Sequence, residues 1–282
     1  MVRASRSRSA ALVLALAALV LDAVACTGSP EATSTLGAPS VTVSLVVAGD
    51  EAGVVAAVSV IRDRLAHLAG VESAEVDVVG TTLTVTVSGA VSIDAVTEVS
   101  TTPGVIEIVH VLAWGTVDDQ ESGTVEWSQG DPSACQVGSG HIAAVDEDLR
   151  GVYAPTGHEE VACYVGGYAD NDDFESAGLK TVNFKNGSLT LWVVEVELTA
   201  GGTDALLRLG EAILAYPSRD FSRRLGVVVD GVVHRAVEVI DPAYFESGTL
   251  TVLGGFELTR VQRQLAIVSG GPLPVLVTRD QG

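Results

Sequence analysis

Residues 41–87 read VTVSLVVAGDEAGVVAAVSVIRDRLAHLAGVESAEVDVVGTTLTVTV, and the period of their apolar residues changes along the stretch. Residues 41–48 are β-branched and apolar, as in a strand. Asp50 then stands where a helix N-cap belongs. Val54, Val58, Ile61, Leu65 and Leu68 fall on one face of a helix that Gly70 ends. Residues 74–79 and 82–87 alternate around Gly80-Thr81, a hairpin turn. Beyond it, Ser92 can cap a short helix carrying Ile93, Val96 and Val99, Pro103-Gly104 breaks the chain, and residues 105–112 form another strand. The order β-α-β-β-α-β over residues 41–112 predicts a ferredoxin-like unit.

Toward the N-terminus, Arg3, Arg6 and Arg8 precede an uncharged apolar run at 10–21, the layout of a signal peptide and too short for an ordinary membrane span. Ala23-Val24-Ala25-Cys26 then places small residues before a cysteine, as a bacterial lipobox does. Residues 1–25 are read as a lipoprotein signal peptide and Cys26 as the lipid-modified (palmitate-bearing) first residue of the mature chain. The other reading is ordinary cleavage after Ala25, with Cys26 merely first. Residues 26–40, rich in Thr, Ser, Gly, Pro and Ala, form a flexible tether. These features predict a cell-envelope protein on the extracytoplasmic face of the membrane, held by its lipid anchor and without a transmembrane helix in its mature form.

Toward the C-terminus, residues 113–180 carry Trp114, Trp127, many Gly and Asp and little periodicity, and are read as an irregular insertion. Cys135 and Cys163 are the two cysteines left after Cys26; in an oxidising compartment they most simply pair, whereas a metal site would lack neighbouring histidine ligands. Regularity then returns. Lys185-Asn186-Gly187 and Asp230-Gly231 are hairpin turns, Thr203 can cap one helix and Thr259 another, residues 249–253 form a strand, and residues 273–277 close the chain as an extended strand. The fold class is α+β on a mainly antiparallel sheet.

Composition narrows the function. The chain has 282 residues, 36 acidic against 16 basic, and a net charge of −20, so a nucleic-acid partner is excluded for want of a basic stripe. An apolar fraction of 47% excludes disorder. Neither an HExxH nor a CxxC motif occurs among the five histidines (His67, His110, His141, His158, His234) and three cysteines. Gly138-Ser139-Gly140 and Glu246-Ser247-Gly248 lack the frame of a nucleophile elbow. Neither catalysis nor a cofactor is therefore expected. Asp170, Asp172 and Asp173 could line a calcium or small-ligand pocket, but without the spacing and central Gly of an EF-hand a solvated acidic loop is the favoured reading. Trp114 and Trp127 could anchor a partner or cover the edge of the core.

Two segments carry a resemblance to the first extracytoplasmic domain of SecD, a subunit of the bacterial protein-export machinery. One is Val58-Ser-Val-Ile-Arg-Asp-Arg-Leu-Ala-His-Leu-Ala-Gly70, followed by paired strands; the other is Gly254-Gly-Phe-Glu-Leu-Thr-Arg-Val-Gln-Arg-Gln-Leu-Ala266 with Ser269-Gly-Gly-Pro-Leu-Pro-Val275 after it. Leu225-Gly-Val-Val-Val-Asp-Gly231 is similar to the family's strand before a hairpin. The likeness covers residues 41–112 and 188–280. It implies a base made of residues 41–112 plus 273–282, with a head, residues 113–272, inserted into it, so residues 273–277 should return to pack beside the base. It also implies binding of unfolded secreted chains or of Sec translocon components, in an apolar patch rimmed by acid on residues 188–272. SecD itself couples export to a proton gradient through membrane helices; this chain stops where the next such helix would begin, so proton-driven work is not expected of it.

Overall fold

The computed structural model describes residues 39–119, 124–146, 159–184, 189–239 and 246–280; the signal segment, Cys26, nearly all of the tether and His158 lie outside them. The base is built from β1 (Ser40–Val47), α1 (Glu51–His67), β2 (Val71–Val79), β3 (Thr82–Gly89) and α2 (Ile93–Thr101). Asp50 caps α1 by accepting from the Gly53 N–H, and Ser92 caps α2 by accepting from Ala95. Val79 pairs with Thr82, so Gly80-Thr81 is a two-residue turn. Val43, Leu45, Leu83, Val85 and Val87 bury one face of the sheet against Ile61, Leu65 and Val96 of the helices. The other face carries Thr42, Ser44, Thr84 and Thr86, none of them buried.

The sixth element of this unit is not the strand expected at 105–112. The sheet order is β13-β1-β3-β2, and the place beside β1 is taken by β13 (Val277–Arg279), with Val277 opposite Val47. Residues 273–276 return to the base but stay outside the strand, since Pro272 and Pro274 withhold N–H donors from a ladder. Residues 105–112 belong instead to β4 (Ile106–Asp119), which opens the head.

In the head the irregular insertion proves to be mostly strand. β5 (Thr124–Gly130), β6 (His141–Val145) and β7 (Glu159–Asp170) join β4, β10 (Arg224–Val229) and β11 (Val232–Glu238). The pairings run β4–β7, β7–β6, β6–β11, β11–β10 and β10–β4, which closes a five-stranded barrel; β5 extends the far end of β4. Only β6–β11 is parallel. Val109, Val111, Trp114, Ala143, Val145, Ala162, Tyr164, Val228 and Val233 form one cluster of the barrel strands. Ile106, Ile108, Leu225 and Val227 pack in a separate one, against α4 (Ala200–Leu214). Strands buried on both faces do not alternate, and register shifts after Ile108 and Val111 further break the period of two. The sequence therefore reads as irregular where the chain is regularly paired.

A second sheet, β12-β9-β8, comprises β8 (Phe174–Phe184), β9 (Leu189–Leu198) and β12 (Thr249–Gly255) and packs on α5 (Leu258–Gly270). The helix caps lie slightly upstream of expectation. Thr199, not Thr203, caps α4, and α5 begins after Glu257, whose carboxylate accepts from the Thr259 hydroxyl. The expected turn at 185–187 lies outside the described residues, while Asp230-Gly231 turns β10 into β11 with both residues at positive φ.

Cys135, in the short helix α3 (Ser133–Gln136), is bonded to Cys163 of β7 across a Cα separation of 6.0 Å. Leu112, Trp127 and Tyr216 surround it. With 28 residues of sequence separation, the bond restricts the unfolded chain by about 3.5 kcal/mol. Reduction with dithiothreitol should lower the unfolding free energy by that order; an unchanged urea midpoint would show that α3 holds its place without the bond.

Candidate functional site

The chain passes between base and head twice, at residues 102–106 and 270–273, and both passages meet one side chain. Arg64 of α1 is fully buried. Its Nη1 donates to the carbonyls of Val99 (3.0 Å) and Thr102, its Nη2 to Pro103 (2.8 Å), and its Nε to Gly271 (3.0 Å). These carbonyls belong to the ends of α2 and α5, where helix dipoles favour a cation. Burial lowers the Arg64 pKa to about 10, against a smaller raising effect of Asp230, so the group stays charged at neutral pH. Gly104 has φ +77°, and a Cβ there would sit 2.4 Å from Arg64 Nη2. Leu273 N–H donates to the Pro103 carbonyl, which joins the two passages directly.

Head residues hold the first passage from the other side. Asp230, in the β10–β11 turn, accepts from the N–H groups of Gly104 (3.1 Å) and Val105 (2.8 Å). Asn171 accepts from the Ile106 N–H and donates to the Gly104 carbonyl.

Beside this joint a cleft runs along α5. One part, about 430 Å³, is lined by Leu191, Leu253, Phe256 and Glu257; a second, about 230 Å³, reaches Glu98, Asp230 and Ile267. His234, Leu253, Arg260 and Gln264 line both. The parallel β6–β11 pairing sets Asp146 next to His234, with the Asp146 N–H donating to the Val233 carbonyl. Asp146 Oδ2 lies 2.8 Å from His234 Nδ1 and 3.6 Å from Arg260 Nη2. Arg260 and Gln264 share a helix face at i, i+4, and Gln264 Oε1 is buried without a hydrogen-bond partner. Phe256 is 66% exposed at the rim. Arg263 Nε sits 2.7 Å from Glu98 Oε2 of α2, an ion pair off the axis of a hydrogen bond. The arrangement offers apolar contact next to a few polar anchors, the make-up of a binding cleft.

The residues singled out from sequence are scattered around this cleft. Cys135 and Cys163 stand apart from its lining, and Cys26 lies outside the described residues. The acidic run at Asp170, Asp172 and Asp173 is a self-capped turn: Asp170 accepts from the Asp172 N–H and Asp173 from the Asp170 N–H, so both carboxylates cap their own 3-10 turn. Among the described residues no group of three or more His, Cys, Asp or Glu is placed to hold a metal ion. Trp114 is buried, its Nε1 donating to Glu160, and Trp127 is half-buried beside the disulfide. His234 carries no sequence signal, because its partners lie on distant strands and helices.

His110 is buried against the ring of Tyr216, and its Nε2 donates to the Ser222 carbonyl at 2.6 Å. Burial pushes its pKa down, with the Ser222 bond opposing. A neutral folded imidazole means that the unfolded chain binds the extra proton, so its contribution is complete above about pH 6.5 and is lost as pH falls below that value. Urea midpoints should drop more between pH 7 and pH 5 for the natural chain than for His110→Gln; equal drops would remove His110 from the acid response.

Two solved structures superpose on this chain. A structure of SecDF in a super-membrane-facing form superposes with a TM-score of 0.53 at 16% identity, over 85% of this chain and 29% of that one. The fold of this chain resembles that of SecDF. A second SecDF structure, of a membrane component that enhances protein export, superposes at 0.51 and 15% identity, over 86% of this chain and 99% of that one. This chain thus spans under a third of the length of the first SecDF chain and nearly all of the second. At such identities the likeness is one of fold. No family model matches the chain, and no curated protein matches it.

Proposed function

We propose that this chain is a non-enzymatic envelope lipoprotein, anchored through Cys26 on the extracytoplasmic face of the membrane, that holds extended segments of other polypeptides as an accessory to protein export. The observation that carries this reading is the SecDF-like fold extending over base and head together. The cleft along α5 supports it. Leu191, Leu253 and Phe256 supply its apolar contact and Asp146, Glu257 and Arg260 its polar wall, a surface of the kind on which an extended peptide docks.

The test is photo-crosslinking in cells, with a photoreactive residue at Phe256 in the full-length chain and Cys26→Ala as the untethered control. Recovery of export-channel components or of many unfolded secreted chains, lost in the control, is the expected result. Recovery of one unrelated envelope protein would overturn the export role and leave a binding module. Recovery of nothing would overturn the binding reading itself.

A further inference from the structure

The base has a sheet edge of its own. β2 ends the order β13-β1-β3-β2, with no further strand on it among the described residues. The two-residue turn makes Val79–Thr82 a hydrogen-bonded pair, as are the alternate pairs Asp77–Thr84 and Glu75–Thr86. The N–H and C=O groups of Ala74, Val76 and Val78 therefore point away from the sheet. Arg62 of α1 agrees with this geometry: its Nη2 donates to the outward carbonyl of Val76 at 3.0 Å.

Beside this edge lies a groove of about 820 Å³ lined by Val54, Val55, Val58 and Val78, with Glu51 and Asp63 also on its wall. Val55 is 66% exposed and Val78 46%. Side chains alternate along β2. Val76 and Val78 face the α1 side, so Glu75 and Asp77 lie on the open face of the sheet, where both are exposed.

We propose that the edge of β2 docks an extended polypeptide segment that alternates apolar and basic residues and adds to the base as a fifth strand. Its apolar residues enter the Val54–Val78 groove, and its Lys or Arg residues lie opposite Glu75 and Asp77. Charge selects this occupant. A second copy of the chain would set Glu75 and Asp77 against their own kind, and like charges directly opposite destabilise a pair of strands. A net charge of −20 adds long-range repulsion between copies and attraction for a basic segment. Arg62 blunts the edge in the absence of a partner by occupying one acceptor. The proposal rests on the reading that the chain holds extended segments, and it places one such segment on the base instead of in the α5 cleft.

Fluorescence anisotropy on the mature chain tests it with three labelled octapeptides: one alternating Val and Lys, one with the same residues in two blocks, and one alternating Val and Glu. The alternating Val/Lys peptide should bind at least tenfold more tightly than either of the others. Arg62→Ala should tighten it about threefold to tenfold by freeing the Val76 carbonyl and removing a like charge. Glu75→Lys with Asp77→Lys, both on the exposed face, should weaken it at least tenfold and improve the Val/Glu peptide. Hydrogen exchange should show new protection at Val76 and Val78. Equal affinity for the block peptide would reduce the effect to charge attraction and overturn the proposal. Protection confined to residues 254–264 would overturn it while sparing the cleft. A concentration-dependent dimer protecting β2 would assign the edge to a second copy. Absence of binding would overturn the edge site, with the crosslinking at Phe256 deciding the wider reading separately.

Discussion

Replacing Arg64 with methionine is expected to lower the unfolding free energy by about 3–5 kcal/mol, because several buried main-chain acceptors lose a charged donor at once. The methionine would fill much of the same volume, so the loss isolates the guanidinium. The carbonyls of Val99, Thr102, Pro103 and Gly271 are main-chain groups and remain when the side chain goes. Each buried acceptor left unmet costs about 1–3 kcal/mol, and relaxation or entering water recovers part of the sum. Arg64→Lys should restore little, because one ammonium lacks the planar fork that reaches both passages at once. Urea unfolding would measure the loss. Limited proteolysis should find new cleavage at 102–106 or 270–273 in the methionine variant. A change below about 1 kcal/mol would mean that Asp230 and Asn171 hold the joint without Arg64.

Trp114→Ala should cost about 3–5 kcal/mol, as expected for a large aromatic removed from a packed interior. Trp114 fills the barrel, edge-on to Phe221 at 6.3 Å, and a five-stranded barrel has little other volume to collapse into the gap. Trp114→Phe keeps most of the ring but withdraws the donor to Glu160, a residue 1% exposed, and should cost about 1–3 kcal/mol. Thermal unfolding and the near-ultraviolet circular dichroism of the three tryptophans would report both. Losses under about 1 kcal/mol in both variants would show that the barrel repacks around a smaller side chain.

The parts of this fold legible in the sequence are those decided within a few residues. Asp50 and Ser92 cap the helices they precede, and Gly80-Thr81 and Asp230-Gly231 turn the strands they separate. Where two nearby residues suit the same task, local chemistry does not choose. Thr199 and Thr203 both suit an N-cap; Thr199 takes it, and Thr203 donates back to the Thr199 carbonyl from inside the helix. Membership of a sheet was not legible. Residues 106–111 suit either sheet by composition, and the choice follows from β10, more than a hundred residues later. The barrel is not legible because strands buried on both faces read like loops once bulges break their period. The cleft was invisible for a related reason: Asp146, His234 and Arg260 share no spacing, and their meeting is a product of topology. The disulfide was legible by arithmetic, since only two cysteines remained to pair.

The placement of β13 gives the chain an order of assembly. Val277 closes the sheet that Ser40–Val47 begins, so β1, the first of the described strands, waits through the whole head before Leu45–Val47 gain their outer partners. Every head strand lies between them and can pair earlier. During synthesis or secretion the head should therefore mature first, while the base presents a bare β1 edge, SVTVSLVV, rich in valine and without a charge, the kind of edge that aggregates. A chain that emerges N-terminus first would need shielding over that interval, and the pairing of Leu45–Val47 with Val277–Arg279 marks the moment at which the need ends.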